Sequence, residues 1–141
     1  MHLFLEANVL FAAAWQDGRA RALFTLAPRV GSDLLTSFHA LEQARRNLEA
    51  KRPEVLPVLE GLREAWVLVA EPPPALVRRA QAWGLPLKDA PILAAAWMAG
   101  VTLLVTGDRR HFGPLMGQTV KGVRVVSLKD ALEEILVLAG L

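Results

Sequence analysis

Residues 90–107 read APILAAAWMAGVTLLVTG, a run of 18 uncharged residues, and the way it divides decides the fold. As one piece it would reach the lower edge of what a membrane-crossing helix needs. Pro91 near its start, Gly100 in its middle and the change from alanine-rich to β-branched sequence split it instead. The pattern predicts a short helix opened at Asp89 and closed at Gly100, then a strand over residues 102–106. Segments this apolar and this short belong inside an α/β core, in a sheet covered on both faces.

The same alternation extends outward in both directions. Upstream, residues 2–5 read as a first strand and 7–15 as a helix, with a second helical pattern over 18–28. A brief strand at 33–36 leads into a long helix over 38–52, and Pro53 suits the first turn of a further helix reaching about residue 64. WVLVA at 66–70 is a buried strand, after which Pro72, Pro73 and Pro74 end the extended segment and introduce a helix to Trp83, with Gly84 just past its end. Downstream, 123–126 form a last strand and 128–138 a terminal helix. Apolar strands separated by helices imply a parallel sheet with helices on both faces. No repeat or low-complexity tract interrupts residues 1–141, which read as a single domain.

Composition narrows the chemistry. At 141 residues, 53% apolar and 21% charged, the chain has the make-up of a folded domain. It has no cysteine, so disulfides and thiolate metal sites are excluded, and the three histidines, His2, His39 and His111, are scattered. Oxygen is then the favoured metal donor. A net charge of +2 permits a polyanionic partner without arguing for one. The apolar start, MHLFLEANVLFAAAW, is broken by Glu6 and lacks a preceding basic residue, which is not the pattern of an export signal. A cytoplasmic protein with no membrane association is the expectation.

Ligands of open parallel sheets bind at the carboxyl ends of the strands. Glu6 follows the first strand and Asp108 the fourth; either is also an ordinary place for a chain to surface. Asp89 stands at a helix start, where an aspartate caps well without any function. In the 38–52 helix, Phe38, Leu41 and Leu48 are expected on the core face, with Glu42 at its rim; the plainer reading is a pair with Arg45 or Arg46. Thr106 is either a supporting hydroxyl or a simple strand residue. Together the four acids suit a hard divalent cation, Mg2+ or Mn2+, which would relieve their mutual repulsion and activate water against a phosphodiester. Arg45, Arg46, Lys88, Arg109 and Arg110 are candidates for holding phosphates, or else a plain basic surface. Trp15, Trp66, Trp83 and Trp97 fall in apolar patterns and are expected in the core, and His111 on a surface loop.

FLEANVLFAAA, ALEQARRNL, KDAPILAAAWMAG and LLVTGDRRHF, in that order, resemble PIN-domain ribonucleases, especially the toxins of bacterial toxin–antitoxin pairs. The likeness runs through almost the whole chain, and TGD followed by a basic pair is its most specific part. It implies a three-layer α/β/α sandwich on a parallel five-stranded sheet of order 3-2-1-4-5. It also implies a metal-dependent endoribonuclease whose acids are Glu6, Glu42, Asp89 and Asp108, with Mg2+ or Mn2+ on Glu6, Asp89 and Asp108 and with Asn8 and Thr106 in support. The resemblance further implies an RNA substrate, a homodimer and an antitoxin that occupies the acidic groove. One position departs from the family: its first acid is Asp, and here it is Glu6. The added methylene displaces the carboxylate by about 1 Å, against a tolerance of about 0.2 Å in metal–ligand distances. A non-catalytic domain of the same fold that binds RNA or protein is therefore the alternative. A phosphohydrolase with an aspartyl nucleophile fits less well, because its two acids would stand where Glu6 and Asn8 are. No glycine-rich phosphate loop supports a nucleotide-binding reading.

Overall fold

A computed structural model describes residues 1–83, 89–107 and 115–141. Strand β1 (His2–Leu5) is followed by helices α1 (Ala7–Trp15) and α2 (Arg19–Leu26). Strand β2 (Asp33–Ser37) leads into α3 (Phe38–Lys51) and α4 (Leu56–Gly61), and β3 (Trp66–Val69) into α5 (Pro74–Gln81). Helix α6 (Ala90–Met98) precedes β4 (Leu103–Thr106), and a hairpin of β5 (Thr119–Val120) and β6 (Val123–Ser127) precedes α7 (Leu128–Leu138).

The strands form one sheet of order β3-β2-β1-β4-β6-β5. The five long strands are parallel and run in the expected order, β6 taking the place of the fifth. The difference is β5, a two-residue strand added antiparallel to β6 at the edge. Its turn, Lys121–Gly122, has positive φ at both residues (53° and 86°), the geometry of a tight two-residue hairpin.

β1 lies at the centre, paired to β2 on one side and β4 on the other. Leu3, Phe4 and Leu5 are all fully buried, as are Leu103, Leu104 and Val105 of β4. Consecutive burial of this kind requires layers on both faces, and the helices supply them. Helix α6 buries Ile92, Leu93, Ala94, Ala95 and Ala96. It ends where expected: Gly100 has φ 69°, and Val101 N–H donates to the Ala96 carbonyl, closing a Schellman turn. No helix among the described residues is long and apolar enough to cross a membrane.

Two expectations need correction. The helix from Pro53 to about residue 64 is three pieces: a 3-10 turn (Pro53–Val55), α4, and a second 3-10 turn (Arg63–Ala65). Pro57 has no N–H to continue the ladder from Pro53, and Gly61 weakens the other end. In α3 the buried residues are Ala40, Ala44 and Leu48, whereas Phe38 is 56% exposed. Helix α3 packs mainly against α1, with small residues, Ala40 and Ala44, on its buried face, and Phe38 is left largely exposed. Trp66 is buried, and Trp15, Trp83 and Trp97 pack half-buried against the core.

Candidate active site

Three strand ends converge on the carboxyl edge of the sheet. Glu6 follows β1, Ser37 closes β2, and Thr106 closes β4 beside Gly107. Thr36, fully buried, donates its hydroxyl to the Leu5 carbonyl at 2.8 Å and so fixes the end of β1 against β2. On the other side, Glu6 N–H donates to the Val105 carbonyl at 3.1 Å, continuing the β1–β4 pairing. The backbone carrying Glu6 is thus held from both flanks.

Glu6 is only 5% exposed and folds back over the start of its own helix, where Oε2 accepts the Asn8 N–H at 3.1 Å. It is the N-cap of α1, a role commonly filled by shorter side chains. Asn8 then spans the gap to β4: its Oδ1 accepts the Gly107 N–H at 2.9 Å and its Nδ2 donates to Thr106 Oγ1 at 3.4 Å. Thr106 is fully buried. Asn8 and Thr106, two residues expected to support the acids, therefore touch each other, and Asn8 also touches Glu6.

Asp89 immediately precedes α6 and is 4% exposed. Because α6 runs back toward Gly100 and the start of β4, its first turn stands over the same carboxyl edge as Glu6 and Thr106. Asp108 follows Gly107 directly in sequence but lies outside the described residues, as do Lys88, Arg109, Arg110 and His111.

Glu42 is placed differently. Its carboxylate accepts from Arg45 on the same helix, from Nε at 3.0 Å and from Nη2 at 2.9 Å. That hydrogen bond, with the charges of Arg45 and Arg46 behind it, keeps the Glu42 pKa below its ordinary value against a smaller opposing effect of burial. Glu42 lines a cavity of about 230 Å3 with Phe38, Leu41, Leu59, Trp66 and Leu68. The pairing with Arg45 is present, and Arg45 also reaches Glu49 at 3.3 Å. Arg46 is exposed, without an ion pair among the described residues. Among the described residues no three acidic, histidine or cysteine side chains stand ready to hold a metal.

Sequence reasoning passed over Arg19 and Lys129, which share a cavity with Thr106 and Gly107. Their only signal was position, each opening a helix at the carboxyl edge.

No protein-family model matches the chain, and no curated protein does. Solved structures do. The fold is similar to PAE2754 of Pyrobaculum aerophilum, with a TM-score of 0.69 and 18% identity over 97% of this chain and 96% of that one. It is similar to VapBC2 of Rickettsia felis, crystallised with a DNA fragment from its promoter, at TM-score 0.63 and 15% identity over 90% and 98%. It is also similar to the Mycobacterium tuberculosis toxin VapC20, which cleaves the sarcin–ricin loop, at TM-score 0.58 and 19% identity over 77% and 91%. The chain has the fold of VapC toxins, the PIN-type α/β/α sandwich.

Proposed function

We propose that this chain is a metal-dependent endoribonuclease of the PIN toxin type. The observation that carries the reading is the pair of buried carboxylates, Glu6 and Asp89, at the carboxyl edge of a parallel sheet, with Asn8 bridging to Thr106 and Gly107 beside them. Carboxylates gathered at one edge of a sheet repel one another, and a cation between them relieves that repulsion. Their donor set is all oxygen in a chain without cysteine, which fits Mg2+ or Mn2+. Glu6, Asp89 and Asp108 would hold the ion, and Mn2+, the less rigid in its geometry, suits the longer Glu6 arm. Such an ion supplies an activated water and neutralises charge on the phosphodiester.

The chain's own residues position the rest. Thr36 and the β1–β4 pairing fix the backbone of Glu6. Asn8 ties that segment to Gly107, the residue that precedes Asp108 in the sequence. Arg45, Arg46, Lys88, Arg109 and Arg110 are proposed to hold substrate phosphates. Glu42 belongs to the site once Arg45 turns to a phosphate and releases it. An antitoxin-type partner and a homodimer are proposed alongside, and exposed Phe38, Val67 and Leu68 offer apolar surface for a protein contact.

The test is cleavage of an end-labelled, mixed-sequence RNA in Mg2+, Mn2+ or EDTA, with Asp89→Asn and Asp108→Asn controls. Cutting that requires metal and vanishes in both variants is the expected result. A folded protein that cuts under none of these conditions would favour the second reading, a non-catalytic domain. Two observations point that way: Glu6 already serves as a helix cap, and Glu42 is the partner of Arg45.

A further inference from the structure

Beyond the acids, the carboxyl edge holds a second feature of opposite charge. A cavity of about 180 Å3 opens between the ends of β4 and β6, walled by Thr106 and Gly107 on one side and Ser127 and Leu128 on the other. Arg19 and Lys129 also line it. Arg19 is the first residue of α2 and Lys129 the second of α7, two helices that pack against each other. Neither cation has a carboxylate partner among the described residues, and the nearby Asp17 and Asp130 do not line the cavity. The start of α2 adds to the field, for Gly18 provides no side-chain cap and its first turn has no acid.

The cavity is contiguous with the acids. Gly107 and Thr106 form its wall and at the same time hydrogen-bond Asn8, whose backbone N–H is held by Glu6. A ligand here would sit one side chain away from the carboxylates. Two cations beside an acidic centre suit a polyanion that must place one phosphate at the acids and another nearby.

We infer that the Arg19–Lys129 cavity binds a phosphodiester of the RNA strand adjacent to the bond being cut. This rests on the nuclease reading and extends it, giving the strand a second anchor on the β6 side of the acids. The guanidinium of Arg19 takes two phosphate oxygens side by side, and Lys129 acts as a point charge. Such contacts hold the backbone in register without reading bases.

The experiment uses the full chain with Asp89→Asn as a non-cleaving background. Binding of a fluorescent mixed-sequence single-stranded RNA is measured across a salt series for that protein and for Arg19→Gln/Lys129→Gln. A control, Arg29→Gln/Lys121→Gln, makes the same charge change at the opposite edge of the sheet. In parallel, the melting temperature of the otherwise unaltered chain is followed with inorganic phosphate, with and without Arg19→Gln/Lys129→Gln. Each lost phosphate contact lowers the slope of log K against log salt by about 0.7 for a single strand. A drop of that size in the cavity variant alone, with an unchanged circular dichroism spectrum, is the expected result. An unchanged slope, or an equal drop in the control, overturns the inference. Phosphate stabilisation lost in the cavity variant while the RNA slope stays constant also overturns it, because the cavity then binds free anion away from the RNA path. If the slope drops but the unaltered chain cuts no RNA, the cavity stands and the nuclease reading fails. If cutting is intact and the slope is constant, the cavity alone fails.

Discussion

Replacing Glu6 separates a task the structure shows from one proposed for the same side chain. The carboxylate caps α1 through the Asn8 N–H, and it is proposed as a metal ligand. In metal-free buffer, Glu6→Ala removes the cap, at a cost of about 1 kcal/mol. For a chain of this length that is roughly 4 °C in melting temperature. The loss is partly offset, because a carboxylate at 5% exposure is no longer held away from water. A fall of a few degrees is the expected metal-free result.

Metal then tells the two tasks apart. A ligand at about 100 times its dissociation constant stabilises a fold by about 2.7 kcal/mol, roughly 10 °C here. Even an outer-shell partner of a metal site is worth about 10–100-fold in affinity, so losing a direct ligand costs at least the upper figure. At the same Mn2+ concentration the stabilisation of Glu6→Ala then shrinks to about 0.4 kcal/mol, roughly 2 °C. Glu6→Asp retains a capping oxygen and should keep most of the rise, with Mg2+ gaining relative to Mn2+ as the arm shortens. The assay is a thermal melt with Mg2+ or Mn2+ titrated from an EDTA-treated start. If Glu6→Ala melts a few degrees lower yet keeps the whole Mn2+-dependent rise, Glu6 is a helix cap only and the metal assignment is wrong.

Thr36→Val deletes a buried hydrogen bond to the Leu5 carbonyl and should cost about 1 kcal/mol, read in urea denaturation; no change would show that the hydroxyl does not fix the end of β1. Gly100→Ala places a side chain at φ 69° with open space around it, so a loss of about 1 kcal/mol comes from the backbone alone, and unchanged stability would argue against the left-handed turn. Lys121→Asn should stabilise by several tenths of a kcal/mol, since Asn–Gly suits a turn with two positive φ values; a lower melting point would refute the hairpin geometry. Arg45 lowers the Glu42 pKa below 4.5, so their pairing supports the fold above that pH and is lost as pH falls through the depressed value. Glu42→Gln should therefore flatten the acid limb of stability against pH, and carbon-detected titration should find Glu42 nearer 4.5 in Arg45→Ala.

The strands and most helices were legible because their information is local. β1 and β4 announce themselves as short apolar runs, and α6 is bracketed by Asp89 and Gly100, so a burial rule and two capping rules suffice. β5 carried no such signal: a strand of two residues has no period, and only its Lys–Gly turn geometry defines it. Asn8, Thr106 and Glu6 were legible as a group only through the family resemblance. Nothing in EAN or VTG says that the Asn8 side chain crosses from α1 to β4.

Orientation around α3 was the harder matter, and it bears on the second acid. A reading weighted by hydrophobicity turns Phe38 and Leu41 inward and leaves Glu42 at the rim. Packing, chiefly against α1, instead selects Ala40, Ala44 and Leu48, spaced by four, because small side chains let helices come close. At about 100° per residue, Glu42 then lies about 160° from both Ala40 and Ala44, on the face it shares with Phe38. There Arg45 is its natural partner, one turn along, and the two are in contact. Glu42 therefore differs in kind from Glu6 and Asp89. Those two are buried by the sheet and the helix starts, whereas Glu42 is held by a charge that a phosphate can draw away. If the site is assembled that way, Arg45→Ala should weaken RNA binding yet leave metal-induced stabilisation intact or raised, because Glu42 is released to the acids. A fall in both would show that Arg45 supports the site as a structural element, and the proposed exchange between Glu42 and phosphate would be lost with it.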